Sequence, residues 1–357
     1  MLFNVNSKIL ADALNKVARF VNKRVPIPLL SYVLIQASKN RVRLTCGDLE
    51  TFAETSFPAQ VEIEADCLVP VKGLQAIANR LPDTLVTLQL DNNQLLIDYG
   101  GKAKLSTGLV EEYPVPPAVE GAPTVSLNAS TFKKAIRQVS YAAGKDELRP
   151  IFTGVFFKLG GGFLRMVASD THRLAEVRTP CAGKQEILVP AKPLLQFAQV
   201  AERCEITAND NAVRLSDGEF TVTARQIEGK FPDYEQVIPK DYSYTCKVEA
   251  KRVLEILDRV EAVARQDDTA TVLVTVDNGL LNFSTTTQVG AVEETIAVDG
   301  GGEVMTIGFN ITYLKDALRH GDEATLKFTS PLGPAVVEYE SSLHLVLPVR
   351  PILIAKH

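Results

Sequence analysis

Apolar residues recur along this chain with two periods, one near that of a helix and one of two residues. In the segment from Val5 to Val21, Ile9/Leu10, Ala13/Leu14 and Val17/Ala18 fall on one helical face, and Ser7 is the expected N-cap. After Arg24-Val-Pro-Ile-Pro28 the period shortens. The alternating runs Tyr32–Ala37 and Arg41–Cys46 read as strands, and a further strand-like run leads to Ala65. A second helix is expected from Val69 to Leu81, with Pro70 near its start, where a missing amide costs little. Three short strands are expected at 84–90, 94–99 and 102–107.

The pattern then restarts. Val125-Ser-Leu-Asn-Ala-Ser-Thr-Phe-Lys-Lys-Ala-Ile-Arg-Gln-Val-Ser140 repeats the first helix. The stretch from Val189 to Val200 repeats the second, including its Val-Pro-x-Lys opening. Cys246–Val260 and Ile307–Leu318 supply the pair a third time. The starts at Val5, Leu127 and Val248 lie 122 and 121 residues apart, close to a third of 357. Three copies of one domain follow from that spacing. Proline-rich joints at Tyr113–Pro123 and Phe231–Pro239 divide them. The expected boundaries are 1–118, 124–240 and 244–357. The class is α+β, with two helices on one side of antiparallel sheet in each domain.

One polar interruption stands out. Val167-Ala-Ser-Asp-Thr-His-Arg-Leu-Ala175 reads either as a Ser/Asp/His reaction centre or as a turn whose apolar rim a partner grips. Neighbours this close in sequence rarely reach catalytic geometry, because a nucleophile and its base normally converge from separate parts of a fold. No phosphate-cradling loop, nucleophile elbow or H-E-x-x-H is present, so no catalytic residue is assigned.

Composition narrows the choice. The chain is 46% hydrophobic and 23% charged, and no stretch approaches the roughly 20 apolar residues that span a bilayer. The N-terminus lacks a signal-peptide layout, and a cytoplasmic location without membrane partners is expected. Five scattered cysteines suit a reducing compartment, where each is expected to act as a small buried hydrophobe. Neither they nor the four isolated histidines form a metal set, and no cofactor is expected.

The net charge of −5 argues against nucleic acid, but its distribution does not. The six helical segments carry +2, +2, +3, +1, 0 and +1, a net of +9, so the rest of the chain carries −14. Helices facing one way would make one basic face, suited to sequence-independent phosphate contact. The acidic remainder would keep a polyanion off elsewhere.

Ser169-Asp-Thr-His-Arg-Leu-Ala175, Glu228-Gly-Lys-Phe-Pro-Asp-Tyr234 with Val237-Ile-Pro239, and Leu347-Pro-Val-Arg350 strongly resemble the bacterial beta sliding clamp family over the whole chain. The resemblance implies three DNA-clamp domains per chain and two chains closing head-to-tail into a ring. Helices would line the hole and sheets the outside. It implies a non-catalytic processivity subunit of the DNA polymerase III holoenzyme. Its partners would be duplex DNA, the replicative polymerase's catalytic subunit, a clamp loader and other clamp-binding replication and repair proteins.

Carried over by motif, the partner-peptide cleft is Phe152, Ser169, Thr171, His172, Arg173, Leu174, Pro232, Gln236, Val237, Leu345, Leu347, Pro348, Val349 and Arg350. DNA contact is expected at Arg24 by motif, and at Lys72, Arg80, Lys133, Lys134, Arg137, Lys192 and Arg203 from the helix count. Leu105 and Val263 are placed at the dimer seam. The chain departs from the family's pattern at several points. Gln236 stands in place of Arg, Thr171 of Gly, and Leu347 and Val349 of Met. Pro150-Ile151 replaces an aromatic pair, and Pro351–His357 continues past the usual end. The alternatives are a clamp-fold interaction scaffold without DNA tethering and a hydrolase centred on Asp170 and His172.

Overall fold

The computed structural model describes residues 1–21, 27–122, 124–265 and 270–349. Among these lie six α-helices: α1 (Ser7–Val17), α2 (Val71–Ala78), α3 (Ala129–Ser140), α4 (Ala191–Val200), α5 (Ala250–Ala264) and α6 (Ile311–Ala317). Each falls in a segment where helical spacing predicts one; α2 to α6 start later than expected, and α1 starts one residue earlier than a Ser7 cap would give. The residues just before them are strands, ending at Asn6, Pro70, Asn128, Pro190, Glu249 and Asn310. The expected helices from Val69, Val189 and Ile307 therefore each merged a strand with the helix that follows it. Short apolar runs do not separate the two periods.

The caps show where the change happens. Asn6, not Ser7, caps α1: its side-chain oxygen accepts the Lys8 amide at 2.9 Å. Ser7 is buried, and its hydroxyl donates to the Pro82 carbonyl at 2.7 Å. Asn310 caps α6 by accepting from Thr312 and Tyr313. From there Leu10, Ala13, Leu14 and Val17 bury the inner face of α1, the spacing expected of an amphipathic helix.

The chain forms two compact units, one of residues Met1–Lys134 with Val189–Ile227, the other of Ala135–Leu188 with Glu228–His357. In the first, a five-stranded sheet runs in the order Gln60–Ile63, Leu2–Asn6, Leu85–Asp91, Gln94–Asp98, Lys102–Ser106. An eight-stranded sheet crosses from the first sequence repeat into the second. Phe220–Arg225 pairs antiparallel with Thr51–Pro58, setting Phe220 opposite Thr55 and Ala224 opposite Thr51. Phe220 lies 5.8 Å from Phe197 and 5.9 Å from Phe20, so the aromatic core also joins the repeats. Antiparallel sheet is present in each repeat as expected, and here it also runs on from one repeat into the next.

The second unit repeats the device. Its nine-stranded sheet contains, side by side, Gly154–Gly160, Phe163–Ser169, Arg173–Pro180, Ser342–Val346 and Ala335–Glu338. The contact between Arg173–Pro180 and Ser342–Val346 unites the second and third repeats. A four-stranded sheet, with Gly290–Ala297 at its edge, packs Phe283, Ile307 and Phe309 against Val253, Leu257 and Val260 of α5. Lys315 of α6 is buried and bonded to Glu261 and Asp258 of α5, each at 2.5 Å. Those two carboxylates make a buried ammonium tolerable. Cys46, Cys67, Cys204 and Cys246 are buried, as expected, whereas Cys181 is only half-buried in the segment that follows a strand end.

Candidate partner-docking cleft

The polar stretch at 169–173 is a turn between paired strands. Its side chains are consumed in holding it. The Ser169 hydroxyl donates to the Arg173 carbonyl at 2.8 Å, and Asp170 Oδ1 accepts the His172 and Arg173 amides, both at 3.0 Å. Thr171 takes φ +75°, a left-handed conformation that costs a β-branched residue strain. The His172 ring stacks toward Tyr313, with centroids 6.3 Å apart. Nothing here prepares a nucleophile.

Arg173 is held on all sides. Its Nε donates to Asp170 at 3.0 Å and its Nη1 to Asp316 of α6 at 2.7 Å. The guanidinium lies 4.4 Å from the Tyr313 ring centroid and 5.1 Å from that of Tyr141. Burial opposes its charge, but the bonds to Asp316 and Asp170 outweigh that and raise the pKa above the ordinary arginine value. Behind it, His344 is fully buried. One ring nitrogen meets the Tyr141 hydroxyl and the other Ser342 Oγ, both at 3.0 Å, and His320 stacks on it at 4.3 Å. Burial pushes the pKa of His320 down to about 4 and that of His344 well below the ordinary value.

Strand register brings the apolar wall together. Ser169 pairs with Leu174 and Leu174 with Leu345, which places the three on one face. The segment 231–237 crosses that face. Phe231 lies flat on Phe156, and Tyr234 is buried beside it with its hydroxyl pushed well up in pKa by burial and by Glu176. Between wall and segment opens a cavity of about 250 Å³. It is lined by Phe152, Ser169, Thr171, Arg173, Leu174, Phe231, Pro232, Asp233, Tyr234, Val237, Leu345 and Leu347. Val237 and Leu347 are exposed at its mouth. An apolar cavity with few polar groups at the rim suits a short peptide's apolar side chains.

Of the expected cleft residues, His172, Pro348 and Val349 stand beside the cavity's residues in sequence without lining it, and Arg350 lies outside the described residues. Gln236 faces a different, polar groove with Arg165, Glu176, Arg178 and Lys240, and its amide donates to Asp233 at 2.8 Å. Phe231, Asp233 and Tyr234 also wall the cavity and were not among the expected cleft residues, although all three stand in the Phe-Pro-Asp-Tyr motif.

The expected DNA-contacting residues divide. Lys72, Lys134, Arg137 and Lys192 are exposed on α2, α3 and α4, and Lys133 is half-buried on α3. Arg80 lies past the end of α2 and bonds back to the Ala76 carbonyl. Arg203 belongs to the strand Arg203–Ala208, not to a helix, and its Nε donates to the Asp217 carbonyl at 2.7 Å. Arg24 lies outside the described residues. Leu105, on an edge strand, and Val263, on α5, are both half-buried.

Among the described residues no group of three or more His, Cys, Asp or Glu could hold a metal ion, and no helix is long and apolar enough to cross a membrane. Known proteins account for the arrangement. The N-terminal, central and C-terminal domain descriptions of the DNA polymerase III beta subunit match residues 1–117, 126–233 and 235–350. The chain belongs to this family. It is similar to the beta sliding clamp of Synechocystis sp., with 30% identity covering 96% of the chain and 97% of that protein. It is equally similar, at 30%, to the beta sliding clamp homolog GriR of Streptomyces muensis, over 98% and 99%. Among solved structures, the DNA polymerase sliding clamp of Bacillus subtilis superposes with a TM-score of 0.94 at 25% identity, covering 98% of this chain and 99% of that one. A Pseudomonas aeruginosa clamp bound to griselimycin superposes at 0.91 with 26% identity, over 98% and 100%. Membership makes this chain a sliding-clamp subunit of three clamp domains and not an enzyme, as its sequence implied.

Proposed function

We propose that two copies of this chain close head-to-tail into a ring around duplex DNA in the cytoplasm. The ring confers processivity on the replicative polymerase, and the cleft tethers the polymerase's catalytic subunit, a clamp loader and other replication and repair proteins. The cleft carries this reading. It is an apolar cavity beside a rigid turn, in a chain whose similar clamps include ones bound to griselimycin. Leu174, Leu345 and Leu347 grip an apolar side chain, and the turn orients the peptide backbone.

Two edge strands support ring closure. Lys102–Ser106 ends the five-stranded sheet and Gly290–Ala297 ends the four-stranded sheet, so each leaves backbone groups free to pair with another chain. The first carries Lys102 and Lys104 beside Leu105; the second carries Glu293 and Glu294. Val263 belongs to α5, whose Arg259 binds Glu294 bidentately. Exposed Lys72, Lys134, Arg137 and Lys192 supply sequence-independent phosphate contacts, weak and salt-screened enough to permit sliding. The domain boundaries are those of the sequence repeats, 1–118, 124–240 and 244–357.

Solution mass at micromolar concentration tests closure, with a dimer expected. Loaded rings are expected to stay on nicked circular DNA and to leave once it is linearised; equal retention on both forms refutes the topological mechanism. A scaffold of the same fold without DNA tethering is the second reading. It is favoured by Arg80 and Arg203, which spend hydrogen bonds on the Ala76 and Asp217 carbonyls. Cleft binding without loading onto DNA would select it.

A further inference from the structure

Asp316 of α6 accepts two guanidinium groups with different surroundings. Its Oδ2 takes Arg173 at 2.7 Å, and its Oδ1 takes Arg319 at 3.0 Å. The Arg173 side chain is 12% exposed and directly precedes Leu174 of the cleft wall, whereas that of Arg319 is 56% exposed. The Gln138 amide donates to the His320 carbonyl at 3.5 Å. The end of α6 therefore meets the C-terminal half of α3, which carries exposed Arg137. Two exposed arginines thus stand on adjoining elements.

We propose that Arg319 is a phosphate contact whose engagement passes through Asp316 and Arg173 to the docking turn, so that DNA and cleft ligand reinforce one another. The inference rests on the DNA and docking readings above. An exposed ion pair is weak, so a phosphate readily draws Arg319 away. Asp316 then answers to Arg173 alone. Arg173 is the second anchor of the turn, because Asp170 holds both its guanidinium and the amides at 172 and 173. A firmer Arg173 holds Leu174 in its binding position and lowers the cost of ordering the turn. Linkage makes the effect mutual: whatever DNA adds to cleft affinity, the cleft ligand adds to DNA affinity.

Griselimycin titrated calorimetrically into the full chain at low salt, with and without excess short duplex DNA, tests this. In the DNA-free arm Arg319→Ala is expected to tighten griselimycin by about five-fold, the low end of ordinary coupling. The duplex is expected to tighten binding to the unaltered chain and to the Arg319→Lys variant, and to have no effect on Arg319→Ala. In an Asp316→Asn background, Arg319→Ala is expected to change nothing. Unchanged or weaker binding by Arg319→Ala overturns the coupling, as does a duplex effect that survives it. Failure of griselimycin to bind the unaltered chain would instead remove the docking reading and the coupling with it. Failure of duplex to bind removes the phosphate half while leaving the DNA-free comparison intact.

Discussion

Phe231 lies on Phe156 with ring centroids 5.0 Å apart and planes only 8° from parallel. This stack fastens the crossing segment to the sheet and makes a floor for the cleft, with Phe152 and Tyr234 meeting Phe231 edge-on. Phe231→Ala leaves a hole in a packed site and is expected to cost about 3 kcal/mol of stability. Urea unfolding measures the loss, and griselimycin binding should fall with it. A variant as stable as the parent would show that the segment is held elsewhere.

Leu347 is 39% exposed at the cleft mouth and Leu174 is 3% exposed in its wall. Truncating either to Ala is expected to weaken cleft ligands by about 1–3 kcal/mol, as for buried anchors at interfaces. Leu347→Ala is the cleaner experiment, because its exposed side chain contributes less to folding. Calorimetric affinities within error of wild type would contradict the placement of the cleft.

Thr171 holds φ +75° in the docking turn, where glycine would be unstrained. Relief of that strain outweighs the greater unfolded-state freedom of glycine, so Thr171→Gly is expected to stabilise the chain by about 0.5–1 kcal/mol. A denaturation midpoint that stays put or falls would mean that Thr171 side-chain contacts matter more than its backbone.

The stacked pair His320 and His344 predicts a pH dependence. Both folded-state pKa values lie below the ordinary 6.5, that of His320 at about 4, because burial disfavours the imidazolium. The unfolded chain therefore binds protons first as pH falls. Their contribution to stability is complete above about pH 6.5 and is lost progressively as pH falls toward 4. Thermal unfolding across that window is expected to show a declining midpoint. His320→Asn should flatten the decline, and an equally steep decline in that variant would assign the acid sensitivity to other groups.

Much of this protein was legible in its linear pattern. Threefold repetition of helix-forming faces determined the domain count, because apolar period is a local property that folding preserves. The motifs around Ser169–Ala175 and Phe231–Tyr234 identified the family and pointed to Ser169, Thr171, Arg173, Leu174 and Pro232, which line the cavity. The family motif already placed Leu174 in the cleft wall, and register then brought Leu345 beside it.

Other features arose only when distant segments met. Phe220 pairs opposite Thr55 across a repeat boundary, a partnership that no local period encodes. Strand and helix were merged before α2, α4 and α6, since a short apolar run fits both periods until a sheet claims its amides. Arg203 counted as helical charge until its strand and the Asp217 carbonyl claimed it. The Ser, Asp and His of the polar turn were chemically ambiguous in sequence. Hydrogen-bond geometry spent Ser169 and Asp170 on the backbone, because a side chain three or four residues from its partner closes a turn more readily than it builds a reaction centre. Composition and period determined which elements this chain forms. Long-range pairing alone decided which of their side chains face a partner.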